Sequence, residues 1–219
     1  MTGLATDWDS YYASVPAIAR LTRKYTASVL LNFIRSFEVE HSKTPLSIIE
    51  IGGANSCFLD KLLAEIKPSC YDIVDTNEYG LSLLRNRLGK NDNNGKNNVV
   101  RLHHQSVFSM PQDLQADLVF SVGLIEHFDE PGTRNAILGH FDVLKPGGLA
   151  IITFPTPTLL YLTARKSMEL LGLWKFHDER PLNFPEVLSA VQERAEVLAT
   201  KTLWPLGLTQ GAVVARKKT

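Results

Sequence analysis

The chain is short of the residues that mark specialised classes of protein. It has two cysteines in 219 residues, Cys57 and Cys70. That is neither a disulfide framework nor a metal-binding spacing, and both are read as small buried side chains. Charge of one sign is not in excess, with 23 Lys+Arg against 23 Asp+Glu. The basic footprint of a general nucleic-acid binder is therefore missing. No apolar run reaches the length of a bilayer span. Met1 to Tyr12 is polar and acidic, without the apolar core of a secretory leader. These absences predict a cytoplasmic protein with no integral membrane segment and no nucleic-acid partner, and they leave the oligomeric state open.

What is present suits one α/β unit that buries most of its apolar surface, so residues 1–219 are read as a single domain. Ile18, Leu21, Tyr25, Val29, Phe33 and Phe37 recur at three- and four-residue steps. They predict a helix over 14–37 within an N-terminal helical segment, 1–45. Apolar runs then predict strands at 46–51, 71–75, 98–102, 117–121 and 149–154, a helix at 133–143, and a last strand pair at 197–203 and 212–216. Alternating strands and helices predict a doubly wound, mostly parallel sheet. Residues 90–98, KNDNNGKNN, read as a solvated loop. Residues 155–195 are a helical cap insert, with helices expected over 158–173 and 185–195.

The most informative segment runs from Leu46 to Leu63. Glu50 interrupts an apolar strand, Gly52-Gly53-Ala54-Asn55-Ser56 make a turn of small residues, and Phe58, Leu59, Leu62 and Leu63 open a helix. Such a turn lets backbone N–H groups approach a ligand, and a helix N-terminus favours negative charge. Asp75 closes the next strand, 25 positions after Glu50, where an acid suits the two hydroxyls of a ribose. The residues thus suit a nucleoside-containing cofactor. An NAD(P)-dependent oxidoreductase is disfavoured, because the glycines that admit a diphosphate are missing.

The loop E-x-G-x-A-x-S resembles motif I of the class I S-adenosylmethionine-dependent methyltransferases, usually D/E-x-G-x-G-x-G, with Ala54 and Ser56 replacing two glycines. Asp117 to Ser121 followed by Val122 to Phe128 resembles that family's motif IV region. Leu144-Lys145-Pro146-Gly147-Gly148 before an apolar strand is similar to another of its hallmarks. Pro146 is expected to end the preceding helix. The chain looks most like the small-molecule and glycan-modifying members, similar to ubiquinone-biosynthesis-like enzymes. The resemblance implies a Rossmann-like seven-stranded sheet, mostly parallel with an antiparallel C-terminal hairpin strand, and S-adenosylmethionine as cofactor. It further implies methyl transfer to a small-molecule, sugar or lipid-linked acceptor, at oxygen. A cyclopropane-synthase-like lipid enzyme, suggested by Ser121 to His127, and a non-catalytic scaffold are the alternatives.

The resemblance places the cofactor against Glu50, Gly52, Gly53, Ala54, Asn55, Asp75, Thr76, Asn77, Ser106, Val107, Ser121 and Gly123. Glu50 would meet the cofactor's ammonium, or else pair with a helix N-terminus. Ser106 would take the place of an adenine-binding acid, or be a loop hydroxyl. His127 is the candidate base, because a neutral imidazole can accept a hydroxyl proton near pH 7; packing is its other reading. Tyr11 and Tyr12 would touch the acceptor or staple the first helix. Glu126, and His177 and Arg180 in the cap, are candidate substrate contacts, Arg180 for a phosphate or carboxylate. His103 and His104 have no further ligands near them in sequence, so no metal is expected.

Overall fold

The computed structural model describes residues 5–13, 17–37, 45–90, 99–204 and 208–219. Two helices come first, α1 (Trp8–Ala13) and α2 (Ala17–Ser36). The core then runs β1 (Ser47–Ile51), α3 (Leu59–Ile66), β2 (Cys70–Asp75), α4 (Glu78–Lys90), β3 (Val100–His104), β4 (Ala116–Val122), α5 (Glu130–Asp142) and β5 (Leu144–Pro155). The cap supplies α6 (Leu159–Leu170) and α7 (Phe184–Gln192), and β6 (Ala195–Leu203) and β7 (Gln210–Lys217) end the chain. The strands form one sheet in the order β3-β2-β1-β4-β5-β7-β6. All are parallel except β7, which pairs antiparallel with both β5 and β6.

Strand alternation sorts the core into two layers. Ile48, Tyr71, Ile73, Leu118, Phe120 and Ile151 face α2 and α3, with Leu30, Leu59 and Leu62. Ile49, Ile51, Val119, Ile152 and Val213 face α5 and α7, with Ile137, Phe141 and Val187. Both faces of the sheet are covered, which is why β1, β4 and β5 read as near-continuous apolar runs.

Helix starts are set by local side-chain caps. Ser56 Oγ accepts from the N–H groups of Phe58 and Leu59 at the head of α3. Asn77, Asp129 and Thr158 accept from Gly80, Gly132 and Tyr161 at the heads of α4, α5 and α6.

Several expectations need correction. The segment before Ala17 contributes a separate helix, α1, and residues 14–16 lie outside the described residues. Tyr25 is exposed, because the inward face of α2 is set by Ala27, Leu30, Leu31 and Ile34. Pro146 does not end α5, which stops at Asp142; the Leu144–Gly148 segment already belongs to β5. The β4–β5 register shifts there, from Ala116↔Leu144 to Leu118↔Leu149. Cys57 is exposed and Cys70 half-buried, rather than both buried. Most of the loop expected at 90–98 lies outside the described residues.

Candidate active site

A cavity of about 670 Å³ opens over the C-terminal ends of β1, β2, β4 and β5. That size lies in the range of small-molecule sites, at the edge of the sheet where ligands of open α/β folds bind. Its roof is α1 and the segment after α6. Trp8 packs edge-on against His127 with ring centroids 5.0 Å apart, and Tyr11 against Phe176 at 5.1 Å. Polar ties hold α1 down: Asn77 Nδ2 donates to Asp9 at 2.6 Å, Arg23 donates to the Tyr11 hydroxyl at 2.7 Å, and Thr6 donates to Asp178.

One half of the cavity lies over β1 and β2. Glu50 is 3% exposed, and its Oε2 accepts from Ser56 Oγ and from the Tyr71 hydroxyl, each at 2.7 Å. Burial pushes its carboxyl up to about 7, against the pull of those two donors. A Cβ on Gly53 would lie 2.6 Å from the Glu50 carboxyl carbon, so the turn can pass over the acid only as glycine. Ser56, which stands for a family glycine, is therefore a bridge: it joins Glu50 to the head of α3. Asp75 Oδ2 accepts from the Ala54 N–H at 2.9 Å and Oδ1 from the Asn77 N–H at 2.7 Å. Burial raises its carboxyl, and those backbone bonds oppose the rise. Each oxygen keeps acceptor capacity for a hydroxyl, as a ribose diol requires.

Glu50, Gly52, Gly53, Asn55, Asp75, Thr76, Asn77, Ser106, Val107 and Gly123 all line the cavity. Ala54 does not. It is fully buried, and a Cβ on Gly80 of α4 would meet the Ala54 methyl at 2.7 Å, Asn77 Oδ1 at 2.9 Å and the Tyr12 ring at 3.0 Å. Its contribution is the N–H to Asp75. Ser121 also points away: its hydroxyl bonds to His140 Nε2 at 2.8 Å in the layer facing α5.

The other half lies over β4 and β5, under the cap. A 3-10 turn, Ile125–His127, follows β4. His127 Nδ1 lies 3.0 Å from Asp178 Oδ1. Burial works to raise the Asp178 carboxyl, but the Thr6 and His127 bonds outweigh it and hold it low. Burial also holds His127 below the usual imidazole value, although Asp178 acts against this. A neutral imidazole therefore donates Nδ1–H to an ionised Asp178 and keeps its lone pair on Nε2. Glu126 is 2% exposed and lies beside Glu179, which accepts from the Tyr161 hydroxyl. Burial raises both carboxyls, Glu179 to about 7.

Tyr11, Tyr12 and Glu126 line the cavity, whereas His177 and Arg180 do not. His177 is exposed. Arg180 turns its guanidinium to Glu186, at 2.7 and 3.0 Å, and to Thr133 Oγ1 at 3.0 Å. Its anion partner is already in the protein. Sequence reasoning missed Tyr71, Tyr161, Asp178 and Glu179. Their partners are distant in sequence, and only the aromatic and acidic density of Trp174 to Arg180 hinted at the last two.

Residues 49–150, a little under half of the chain, match a family model described as a methyltransferase domain. That part of the chain is a methyltransferase domain. No curated protein matches the chain in sequence. Solved structures share its fold at low identity. Magnesium protoporphyrin IX methyltransferase (ChlM) from Synechocystis PCC 6803, with bound S-adenosylhomocysteine, is 13% identical with a TM-score of 0.74, over 96% of this chain and 93% of that one. The 1,6-didemethyltoxoflavin-N1-methyltransferase from Burkholderia thailandensis is 15% identical with a TM-score of 0.69, over 97% and 86%. The N-methyltransferase NodS from Bradyrhizobium japonicum WM9 is 14% identical with a TM-score of 0.62, over 90% and 87%. The residues over β1 and β2 fit S-adenosylmethionine: an acid with spare acceptor sites at the end of β2, a buried acid beside a glycine turn, and Gly52, Gly53 and Asn55 on the cavity wall. No described helix is long and apolar enough to cross a membrane.

Proposed function

We propose that this chain is a class I S-adenosylmethionine-dependent methyltransferase that acts on a hydroxyl of a small-molecule, sugar or lipid-linked acceptor in the cytoplasm. The reading rests on the His127–Asp178 pair: a neutral imidazole on the cavity wall, its tautomer fixed by a carboxylate on the other ring nitrogen. Asp75, Thr76, Asn77 and the Gly52–Asn55 turn hold the nucleoside and methionine parts of the cofactor, with Ser106 and Val107 at the base. S-adenosylmethionine supplies an electrophilic methyl group on a sulfonium. The chain's own contribution is to align the acceptor oxygen, to exclude water with Trp8, Tyr11 and Phe176, and to receive the hydroxyl proton at His127 Nε2.

The test is a mass gain of 14 Da across a panel of hydroxyl and amine acceptors, read beside S-adenosylhomocysteine binding by calorimetry. His127→Ala is expected to lower turnover by a factor on the order of 10² while leaving S-adenosylhomocysteine affinity nearly unchanged. Unaltered turnover at saturating acceptor, or methylation of amines alone, would overturn the reading.

A further inference from the structure

Glu126 Oε2 is buried and has no hydrogen-bond partner, although the residue lines the cavity and is 2% exposed. An unpartnered carboxylate oxygen in such a place calls for a positive partner. Among the described residues no cationic side chain pairs with Glu126. Arg165 bonds Glu169 and the Glu179 carbonyl and makes a long ion pair, 3.9 Å, with the Glu179 carboxylate, and Arg180 serves Glu186. Glu126, Asp178 and Glu179 thus crowd one end of the cavity with carboxyl groups.

The ligand-type atoms of Glu126, His127 and Glu179 all lie within 4.8 Å of one another. Two ligands bound to one ion at about 2.0–2.6 Å stand at most roughly 4–5 Å apart, so a single ion can reach all three. The surroundings match those of a built metal site. Asp178 fixes the imidazole tautomer from the far ring nitrogen, as carboxylates do behind metal-binding histidines. The Tyr161 hydroxyl orients the Glu179 carboxylate.

We propose that Glu126, His127 and Glu179 bind one divalent transition-metal ion, of the manganese, iron or zinc type that accepts mixed carboxylate and imidazole ligation. The ion occupies the acceptor end of the cavity and holds an oxygen-bearing acceptor through its remaining positions. The ion's binding does not depend on the function proposed above; its use rests on that function's hydroxyl acceptor and takes the place of His127 as the base. With the ion bound, His127 is a ligand rather than a free base. The acceptor hydroxyl is then deprotonated through coordination, its proton passing to solvent.

Manganese is the probe. The full chain, stripped with EDTA and dialysed, is titrated with Mn²⁺ while the free-ion electron paramagnetic resonance signal is followed, with and without S-adenosylhomocysteine. One Mn²⁺ per chain is expected, with electron spin-echo modulation from an imidazole nitrogen. Glu126→Gln and Glu179→Gln are each expected to weaken binding about tenfold or more. Asp178→Asn, which leaves all three ligands in place, is expected to weaken it less. The S-adenosylhomocysteine-induced rise in Tm reports whether each variant is folded. No Mn²⁺ binding at millimolar ion, no nitrogen modulation, or full binding by both folded glutamine variants would overturn the site. Turnover that survives EDTA would show that the ion is not used and leave His127 as the base. Failure of S-adenosylhomocysteine to bind, with Mn²⁺ still bound, would instead sink the methyltransferase reading and leave the ion site standing.

Discussion

Gly53 passes so close over Glu50 that a methyl group added to it would lie 2.6 Å from the acid's carboxyl carbon. Gly53→Ala must therefore displace either the turn or the carboxylate that Ser56 and Tyr71 hold. Overpacking of this kind costs about 1–3 kcal/mol. S-adenosylhomocysteine affinity is expected to fall by about tenfold or more, with a lower Tm. Wild-type affinity in Gly53→Ala, measured by calorimetry, would show that the turn does not carry the cofactor.

Asp75 holds the turn through the Ala54 N–H, and in the proposed function its carboxylate also meets the ribose diol. Asp75→Ala is expected to weaken S-adenosylhomocysteine binding by about 1–3 kcal/mol, the scale of lost charge-assisted hydrogen bonds. A second comparison isolates the diol: a 2′-deoxyribose analogue should lose affinity against wild type but little against Asp75→Ala. Equal losses against both proteins would remove Asp75 from the ribose.

Arg180 was a candidate anion clamp by its place in the sequence, and the structure pairs it with Glu186 and Thr133 instead. Arg180→Ala is expected to lower stability by about 1 kcal/mol, the upper range for a partly exposed, two-pronged pair. The acceptor KM should not change. A large rise in KM without loss of stability in urea would return Arg180 to substrate binding.

His140 makes stability depend on pH. Burial depresses its pKa from 6.5 to about 4, so the unfolded chain binds the proton first. The neutral imidazole's contribution is fully present above pH 6.5 and is lost as pH falls toward 4, by about 3 kcal/mol. Glu50 acts with the opposite sign: its raised pKa gives a contribution present below 4.5 and lost as pH rises through about 7. The wild-type profile mixes the two. The comparison with His140→Gln separates them, and its denaturation midpoint should fall less than wild type's between pH 7 and pH 4.5. Parallel profiles would refute the assignment.

The sheet was legible in the sequence because its strands are buried on both faces and punctuated by glycine, proline and acidic residues. The half of the cavity over β1 and β2 was legible for the same reason. Glu50, Gly52, Gly53 and Asp75 sit on contiguous strand-turn-helix segments whose local geometry the residue types dictate. The acceptor half was not, because its pairs span the chain: His127 with Asp178, Tyr161 with Glu179, Thr6 with Asp178. Periodicity says which face a residue takes, not which partner crosses to meet it. Ser121 shows the limit from the other side. Alternation along β4 puts it on the face opposite Phe120, yet its place next to the Gly123–His127 segment suggested a role at the cavity.

Gly80 lies where three stretches of chain come together: Tyr12 from the roof, Ala54 from the turn and Asn77 from the strand end. The clearance there is less than one methyl group. The height of the roof over the nucleoside half of the cavity is thus gauged by a side chain that is not there. Any larger residue at position 80 would act as a wedge, prying the aromatic cover off its seat without altering a single group that touches a ligand.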